Sequence, residues 1–88
     1  MVNDIAIDEV LRALGHPARV RIVRMLMEGE RCVGDLQHDL ELPQSTVSQH
    51  LGRLKAVGVV RGRSRGTQRC YRVVDERVRD ILAMVQRE

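Results

Sequence analysis

The sequence predicts a mainly α-helical fold with a small β-hairpin, an α+β arrangement within one domain spanning residues 1–88. Three observations support this prediction. Apolar residues recur at helical spacing in several separate segments, including the first and the last. Glycine and proline interrupt the chain between these segments. In the C-terminal half, two short extended runs flank a turn that contains glycine, which is typical of a hairpin.

The first two helices are predicted from apolar spacing and from the residues that separate them. Apolar side chains recur at helical spacing up to Leu14, and Gly15 ends that helix. Pro17 is well placed as the first residue of the second helix. Apolar residues then cover a wide arc as far as Met27, so we expect the second helix to be central and buried.

A helix-turn-helix is predicted for residues 33–57. A short extended segment at residues 31–33 leads into a short helix over residues 33–40. The break at residues 41–43 ends in proline, and a longer helix then covers residues 44–57. Two helices joined by so short a break are typical of DNA-binding helix-turn-helix motifs.

The two faces of the helix at residues 44–57 differ in chemistry. Val47, Leu51 and Leu54 lie at positions i, i+4 and i+7, so we expect them to face the core. The opposite face is polar but nearly uncharged, and its residues are Ser45, Ser48, Gln49 and Gly52, with Thr46 and Arg53 on its flanks. Side chains of this kind suit close approach to base edges in the major groove. His50 lies near the apolar boundary and is predicted to be a half-buried packing residue.

The hairpin that follows, residues 59–73, is predicted to form a wing beside the helix-turn-helix. One strand covers residues 59–63, the turn covers residues 64–66, and the returning strand covers residues 67–73. A two-stranded hairpin alone is marginally stable, so the wing must pack on the helices. A last amphipathic helix is predicted for residues 75–88.

The charge of the chain is concentrated in one segment. Residues 42–74 contain seven cations and no acidic residue, so they carry +7, while the remaining eight cations and twelve anions give −4 and the net charge is +3. Six of the seven cations are arginine, whose planar guanidinium suits phosphates and guanine edges. An acidic body with one basic edge is typical of a small protein that binds a polyanion.

Three segments together resemble one known family. Residues 14–19, Leu-Gly-His-Pro-Ala-Arg, resemble the opening of ArsR/SmtB-type winged-helix repressors. Residues 45–51, Ser-Thr-Val-Ser-Gln-His-Leu, resemble their recognition helix, and residues 63–66 and 71–73 resemble their wing. The resemblance implies a homodimeric repressor that pairs through its first and last helices. It also implies an inverted-repeat operator in duplex DNA, with half-sites about one helical turn apart.

Members of this family are usually released from DNA by a signal. This chain differs from the metal-sensing members at two places, and both differences bear on what the signal is. Metal-sensing members carry Cys-Val-Cys-Asp-Leu at the start of the third helix, whereas here Gly34 replaces the second cysteine. Zinc- and nickel-sensing members place Asp and His pairs on the last helix, but residues 75–88 contain no His. We therefore expect no metal site and no cofactor. A thiophilic metal(loid) acting through Cys32 remains an alternative signal, as does the absence of any small-molecule signal.

The two cysteines, Cys32 and Cys70, have two interpretations. Free cysteines are commonly small buried hydrophobic residues, and these two fit that description. Alternatively, the extended segment at residues 31–33 pairs with the returning wing strand, which brings the two Cα atoms within about 7 Å. Flanking arginines would favour the reactive thiolates. An oxidant or reactive sulfur species would then link the cysteines, tilt the wing and weaken DNA binding.

The expected DNA contacts come from the fourth helix and the wing. The first half of the helix is expected to meet bases and nearby phosphates, and the rest of the helix and the wing are expected to hold the backbone. The residues are Gln44, Ser45, Thr46, Ser48 and Gln49 for the first group, and Arg53, Lys55, Arg61, Arg63 and Arg65 for the second.

Composition argues against several other functions. Tyr71 is the only aromatic residue, whereas proteins that grip single strands stack bases on several aromatic rings. No nucleophile motif, phosphate-binding glycine loop or buried carboxylate cluster indicates an enzyme. The chain has neither a secretory signal nor a run of about 18 apolar residues, so we expect a cytoplasmic location. A winged helix used for protein contacts is the main alternative, but such domains usually lose the basic wing.

Overall fold

The computed structural model describes residues 4–85, which form five helices and a three-stranded antiparallel sheet. The helices are α1 (Ile7–Leu14), α2 (Pro17–Met27), α3 (Val33–Leu40), α4 (Gln44–Ala56) and α5 (Glu76–Met84). The strands are β1 (Arg31–Cys32), β2 (Val60–Arg65) and β3 (Gln68–Val73). This arrangement confirms the predicted fold class, and the short extended segment adds a third strand to the hairpin.

The first two helices are joined by a turn that also caps the second. Gly15 follows the last residue of α1, and Pro17 opens α2, as predicted. The ring Nδ1 of His16 accepts a hydrogen bond from the backbone N–H of Ala18 at 3.1 Å. This bond satisfies one of the backbone donors that a helix start leaves without an intrahelical partner.

The core forms where α4 packs against the other helices. Val47, Leu51 and Leu54 are each 0% exposed, which confirms the predicted apolar face of α4. They join a single cluster with Ile22 and Leu26 of α2 and with apolar residues from every other helix. Because the buried stripe fixes the rotation of α4 about its axis, it also determines which side chains face outward.

The turn of the helix-turn-helix begins in the left-handed region of backbone conformation. Glu41 follows α3 with φ of 55°, and its N–H bonds the carbonyls of Gln37 and His38. Pro43 then precedes the first residue of α4. The helix ends at Ala56, one residue before the predicted end, because Val57 forms its C-cap.

The wing turn lies further along the chain than predicted, which lengthens β2 to Val60–Arg65 and shortens β3 to Gln68–Val73. We expected residues 64–66 to form the turn, but Ser64 and Arg65 continue β2 and the turn is formed by Gly66 and Thr67. Arg65 pairs with Gln68, so the ladder closes on a two-residue loop, the commonest hairpin connection. Gly66 has φ of 61°, a conformation that glycine adopts without steric cost.

The sheet order is β1-β3-β2, so the returning wing strand is central. Cys32 pairs with Cys70, and Cys70 pairs on its other side with Arg63. These three residues therefore lie in one row across the sheet.

The last helix is shorter than predicted. Asp75 caps α5 by accepting a hydrogen bond from the N–H of Arg77, and the helix ends at Met84. Residues 86–88 of the predicted helix lie outside the described residues. Within residues 4–85, none of the helices has the length and apolar character that crossing a membrane requires.

Candidate nucleic-acid interface and cysteine pair

The outward face of α4 carries most of the predicted base-contacting residues. Gln44, Ser45, Ser48 and Gln49 are exposed, and Thr46 is half-buried. Pro43 is the N-cap, and no side chain accepts a hydrogen bond there. The start of α4 thus combines short polar side chains with the positive end of the helix dipole, which favours an approaching anion.

Arg53 and Lys55 are exposed near the other end of α4. Arg53 borders a cavity of about 370 Å³ that Arg12 and Arg19 also line. The structure therefore places Arg53 beside cations of α1 and α2, and not beside the wing. Sequence reasoning missed these two neighbours because neither lies in residues 42–74, the segment that contains no acidic residue.

The wing arginines share one face of the sheet. Arg61, Arg63 and Arg65 alternate along β2, and side chains at every second position of a strand point to the same side. Arg61 pairs with Arg72 of β3, so a further cation lies directly opposite it. All four side chains are exposed, which makes this face strongly cationic.

One acidic residue, Glu30, lies against this cationic face. Its Oε1 accepts a hydrogen bond from Arg63 Nε at 2.9 Å, and its Oε2 accepts one from Arg63 Nη2 at 3.0 Å. Arg65 Nη1 donates to the same Oε2 at 3.2 Å. The hydrogen bond from Arg63 lowers the pKa of Glu30 below its ordinary value, and the Glu30 carboxylate in turn raises the pKa of Arg63. Local sequence patterns do not reveal these contacts, because the partners of Glu30 lie more than thirty positions away.

A groove of about 430 Å³ lies between α4 and the wing, and the first half of α3, including Asp35, also lines it. Gln44 and Ser48 line it from the helix, and Gln68, Arg69 and Tyr71 line it from β3. Arg69 and Gln68 were not among the predicted DNA contacts. The sequence feature that could have identified Arg69 is its position within residues 42–74, which contain no acidic residue. The groove brings the polar face of the helix and the wing together as two walls of one surface.

Cys32 and Cys70 form a disulfide in this structure. Their Cα atoms lie 3.7 Å apart, which confirms the prediction that pairing of β1 with β3 brings them within bridging distance. Cys32 is 8% exposed and Cys70 is 0% exposed, so both are also buried. Cys32 is the N-cap of α3, and its N–H donates to the Asp35 carboxylate at 3.2 Å.

Across residues 4–85, the structure contains no group of three or more His, Cys, Asp and Glu side chains that is suited to hold a metal ion. Both sulfur atoms are bonded to each other, so neither is a free thiolate in this form.

His50 packs at the junction of α4 with α2. Its Nδ1 accepts a hydrogen bond from Arg19 Nε at 3.2 Å, and its ring centroid lies 4.6 Å from that of His16. Burial lowers the pKa of His50, and the charges of His16 and Arg19 lower it further. The predicted packing role is confirmed, because His50 is half-buried and accepts this hydrogen bond.

A helix-turn-helix whose outward helix is polar, beside a cationic two-stranded wing, defines a winged helix-turn-helix DNA-binding protein. The model of the arsR family of bacterial regulatory proteins matches residues 16–61, and the chain belongs to this family. It is therefore a transcriptional regulator and not an enzyme.

Comparison with individual proteins agrees with this assignment. The chain is 47% identical over 77 residues to the transcriptional repressor SmtB of Mycobacterium tuberculosis, covering 88% of this chain and 57% of SmtB. Reduced HlyU of Vibrio cholerae matches with a TM-score of 0.86 and 33% identity over 90% of this chain and 83% of HlyU. The homodimeric winged helix-turn-helix DNA-binding domain of Mb0332 from Mycobacterium bovis matches with a TM-score of 0.83 and 34% identity, covering 91% and 74% of the two chains.

Proposed function

We propose that the chain, with residues 1–88 as a single domain, is a homodimeric repressor that binds an inverted-repeat operator in duplex DNA. The observation that carries this proposal is the groove between α4 and β3. One wall presents Gln44 and Ser48 for base edges, and the other presents Arg69, which lies on the face of the wing opposite to Arg61, Arg63 and Arg65. A duplex seated there would meet hydrogen-bonding side chains in its major groove and the guanidinium group of Arg69 beside its backbone.

Each part of the surface would have its own role. The first half of α4 reads bases through Gln44, Ser45, Thr46, Ser48 and Gln49, while its uncapped start favours a phosphate. Arg53 and Lys55 hold the backbone near the other end of α4. The wing supplies Arg61 and Arg65 to flanking phosphates or to an adjacent minor groove, and it supplies Arg63 to the same backbone once that side chain leaves Glu30.

The dimer interface is assigned to the two terminal helices. Large apolar side chains remain exposed on α1 and at the end of α5, namely Ile7 at 42%, Leu11 at 47%, Met84 at 83% and Val85 at 46%. Exposed apolar residues grouped in this way mark interaction surfaces. The Mb0332 domain, which has this fold, is homodimeric. A second copy of the chain is therefore the proposed occupant, and it would place two α4 helices in successive major grooves.

Replacing Arg65 with alanine should weaken binding to every duplex sequence. Arg65 is exposed at the tip of the wing and would neutralise one phosphate, which carries no sequence information. We expect the slope of log K against log salt to flatten by about one unit for each subunit bound. Anisotropy titrations at several salt concentrations measure this slope. A slope equal to that of the wild type would remove Arg65 from the set of phosphate contacts.

The signal proposed to release the repressor is oxidation of Cys32 and Cys70. Cys32 lies at the start of α3, where the helix dipole favours the thiolate, and it is the more exposed of the two. The Cys32 thiolate attacks a polysulfide and takes one sulfur atom, which leaves the polysulfide shorter. The Cys70 thiolate then attacks the resulting persulfide and expels hydrosulfide, so two electrons pass from the cysteines to the polysulfide.

The test is the affinity for duplex DNA from upstream of the chain's own gene in two redox states at one salt concentration. We expect tighter binding when the protein is fully reduced, weaker binding after polysulfide treatment, and recovery on adding a reductant. The double variant Cys32→Ala/Cys70→Ala should respond to neither treatment. Equal affinity of the wild type in both states would show that the disulfide is structural and that the signal is another one.

A further inference from the structure

The cationic face of the wing is in contact with one carboxylate, that of Glu30. Glu30 directly precedes β1 and lies beside a surface whose other charged residues are arginines. We propose that Glu30 occupies Arg63 in place of a DNA phosphate and thereby limits how strongly the wing binds the backbone. This inference rests on the proposed DNA-binding function, because it describes how that surface is regulated from within the chain.

The geometry distinguishes Arg63 from its neighbour. Arg63 donates from both Nε and Nη2 to the two carboxylate oxygens of Glu30, which is the bidentate arrangement a phosphate would otherwise receive. Arg65 donates to Glu30 from Nη1 alone, and its side chain is 58% exposed. Arg65 therefore keeps most of its N–H donors available for a phosphate, whereas Arg63 must leave Glu30 to offer a phosphate the same bidentate pair.

The Glu30 carboxylate is well held for this role. Its side chain is only 20% exposed, while that of Arg63 is 66% exposed. Cys32 lies two residues after Glu30 and is bonded to Cys70, the residue that pairs with Arg63. The acid and the arginine are thus anchored to the same part of the sheet, and the effective concentration of the carboxylate near Arg63 is high.

Glu28 provides a matched control. It also lies before β1, but its side chain is 73% exposed and its ion pair is with Arg31 of β1 at 3.1 Å, not with an arginine of β2. Glu28→Gln and Glu30→Gln remove the same charge from nearly the same place. Both variants therefore gain the affinity for DNA that follows from removing one negative charge. A difference in affinity between them reports the contact of Glu30 with the wing arginines.

The experiment measures binding of a random-sequence duplex across a salt series, with the disulfide intact. We expect Glu30→Gln to bind more tightly than Glu28→Gln and to steepen the salt slope by about one unit per subunit, because Arg63 gains a phosphate. Between about 50 and 200 mM salt, this change amounts to a roughly 3.5-fold greater loss of affinity for each added contact. In the Arg63→Ala background, Glu30→Gln should raise the affinity for the duplex no more than Glu28→Gln does.

Three results would overturn this inference and leave the proposed function standing. The affinity of Glu30→Gln could equal that of Glu28→Gln, or its extra affinity could persist in the Arg63→Ala background. Glu30→Gln could also bind more weakly than the wild type, which would mean that Glu30 orders the wing for DNA. Thermal unfolding of each variant shows whether the fold is kept. A wild-type chain with no salt-dependent duplex binding would instead overturn the proposed function and this inference together.

Discussion

Replacing Leu51 with alanine is expected to lower the free energy of unfolding by about 2–5 kcal/mol, the range observed for truncating a buried leucine. Leu51 is 0% exposed and lies in the middle of the buried stripe of α4. The substitution removes its contacts with the core and leaves a cavity that the surrounding helices fill only in part. For a domain of this size, each kcal/mol corresponds to about 4–8 °C in Tm, so the loss is large.

Urea unfolding at one fixed protein concentration and one redox state measures this effect, since both dimerisation and the disulfide alter apparent stability. Ser48→Ala is the matched control, because Ser48 lies on the exposed face of the same helix. We expect it to change stability by no more than about 0.5 kcal/mol. Equal effects of the two substitutions would contradict the assignment of Leu51 to the core.

Reduction of the Cys32–Cys70 disulfide is expected to lower the free energy of unfolding by about 3–4 kcal/mol. The bond joins residues that are 38 positions apart, so it removes much of the loop entropy that the unfolded chain would otherwise gain. The folded state should change less, because Cys32 and Cys70 are already partners in the ladder between β1 and β3.

Unfolding of the oxidised and reduced wild type measures this difference, with thiol titration to confirm each state. The double variant Cys32→Ala/Cys70→Ala should unfold at the same denaturant concentration with and without reductant. If the midpoint of the wild type were equally insensitive, the disulfide would contribute nothing to stability. Its role would then have to be sought only in DNA binding.

The helices could be predicted from the sequence because their signals are local. The spacing of Val47, Leu51 and Leu54 determines which face of α4 is buried, and Gly15 and Pro17 mark one helix boundary. The pairing of Cys32 with Cys70 was one of the two interpretations that the sequence left open, and the ladder between β1 and β3 decides in its favour.

The remaining features depend on contacts that local patterns do not contain. Ser64 and Arg65 were predicted to form a turn, but cross-strand pairing of Arg65 with Gln68 extends the ladder instead. The contacts of Glu30 with Arg63 and of Arg19 with His50 join residues 33 and 31 positions apart. Such pairs follow from the packed fold, and no spacing rule in the sequence identifies them.

The most direct test of the proposed function compares wild type and Gln49→Ala on two duplexes of equal length and composition at one salt concentration. One duplex comes from upstream of the chain's own gene, and the other is scrambled. Gln49 is exposed on α4, so we expect its loss to weaken binding to the first duplex by about 1–3 kcal/mol, or roughly 5- to 150-fold. Binding to the scrambled duplex should be unchanged. An equal loss on both duplexes, or no preference by the wild type, would contradict the proposal that α4 reads the operator sequence.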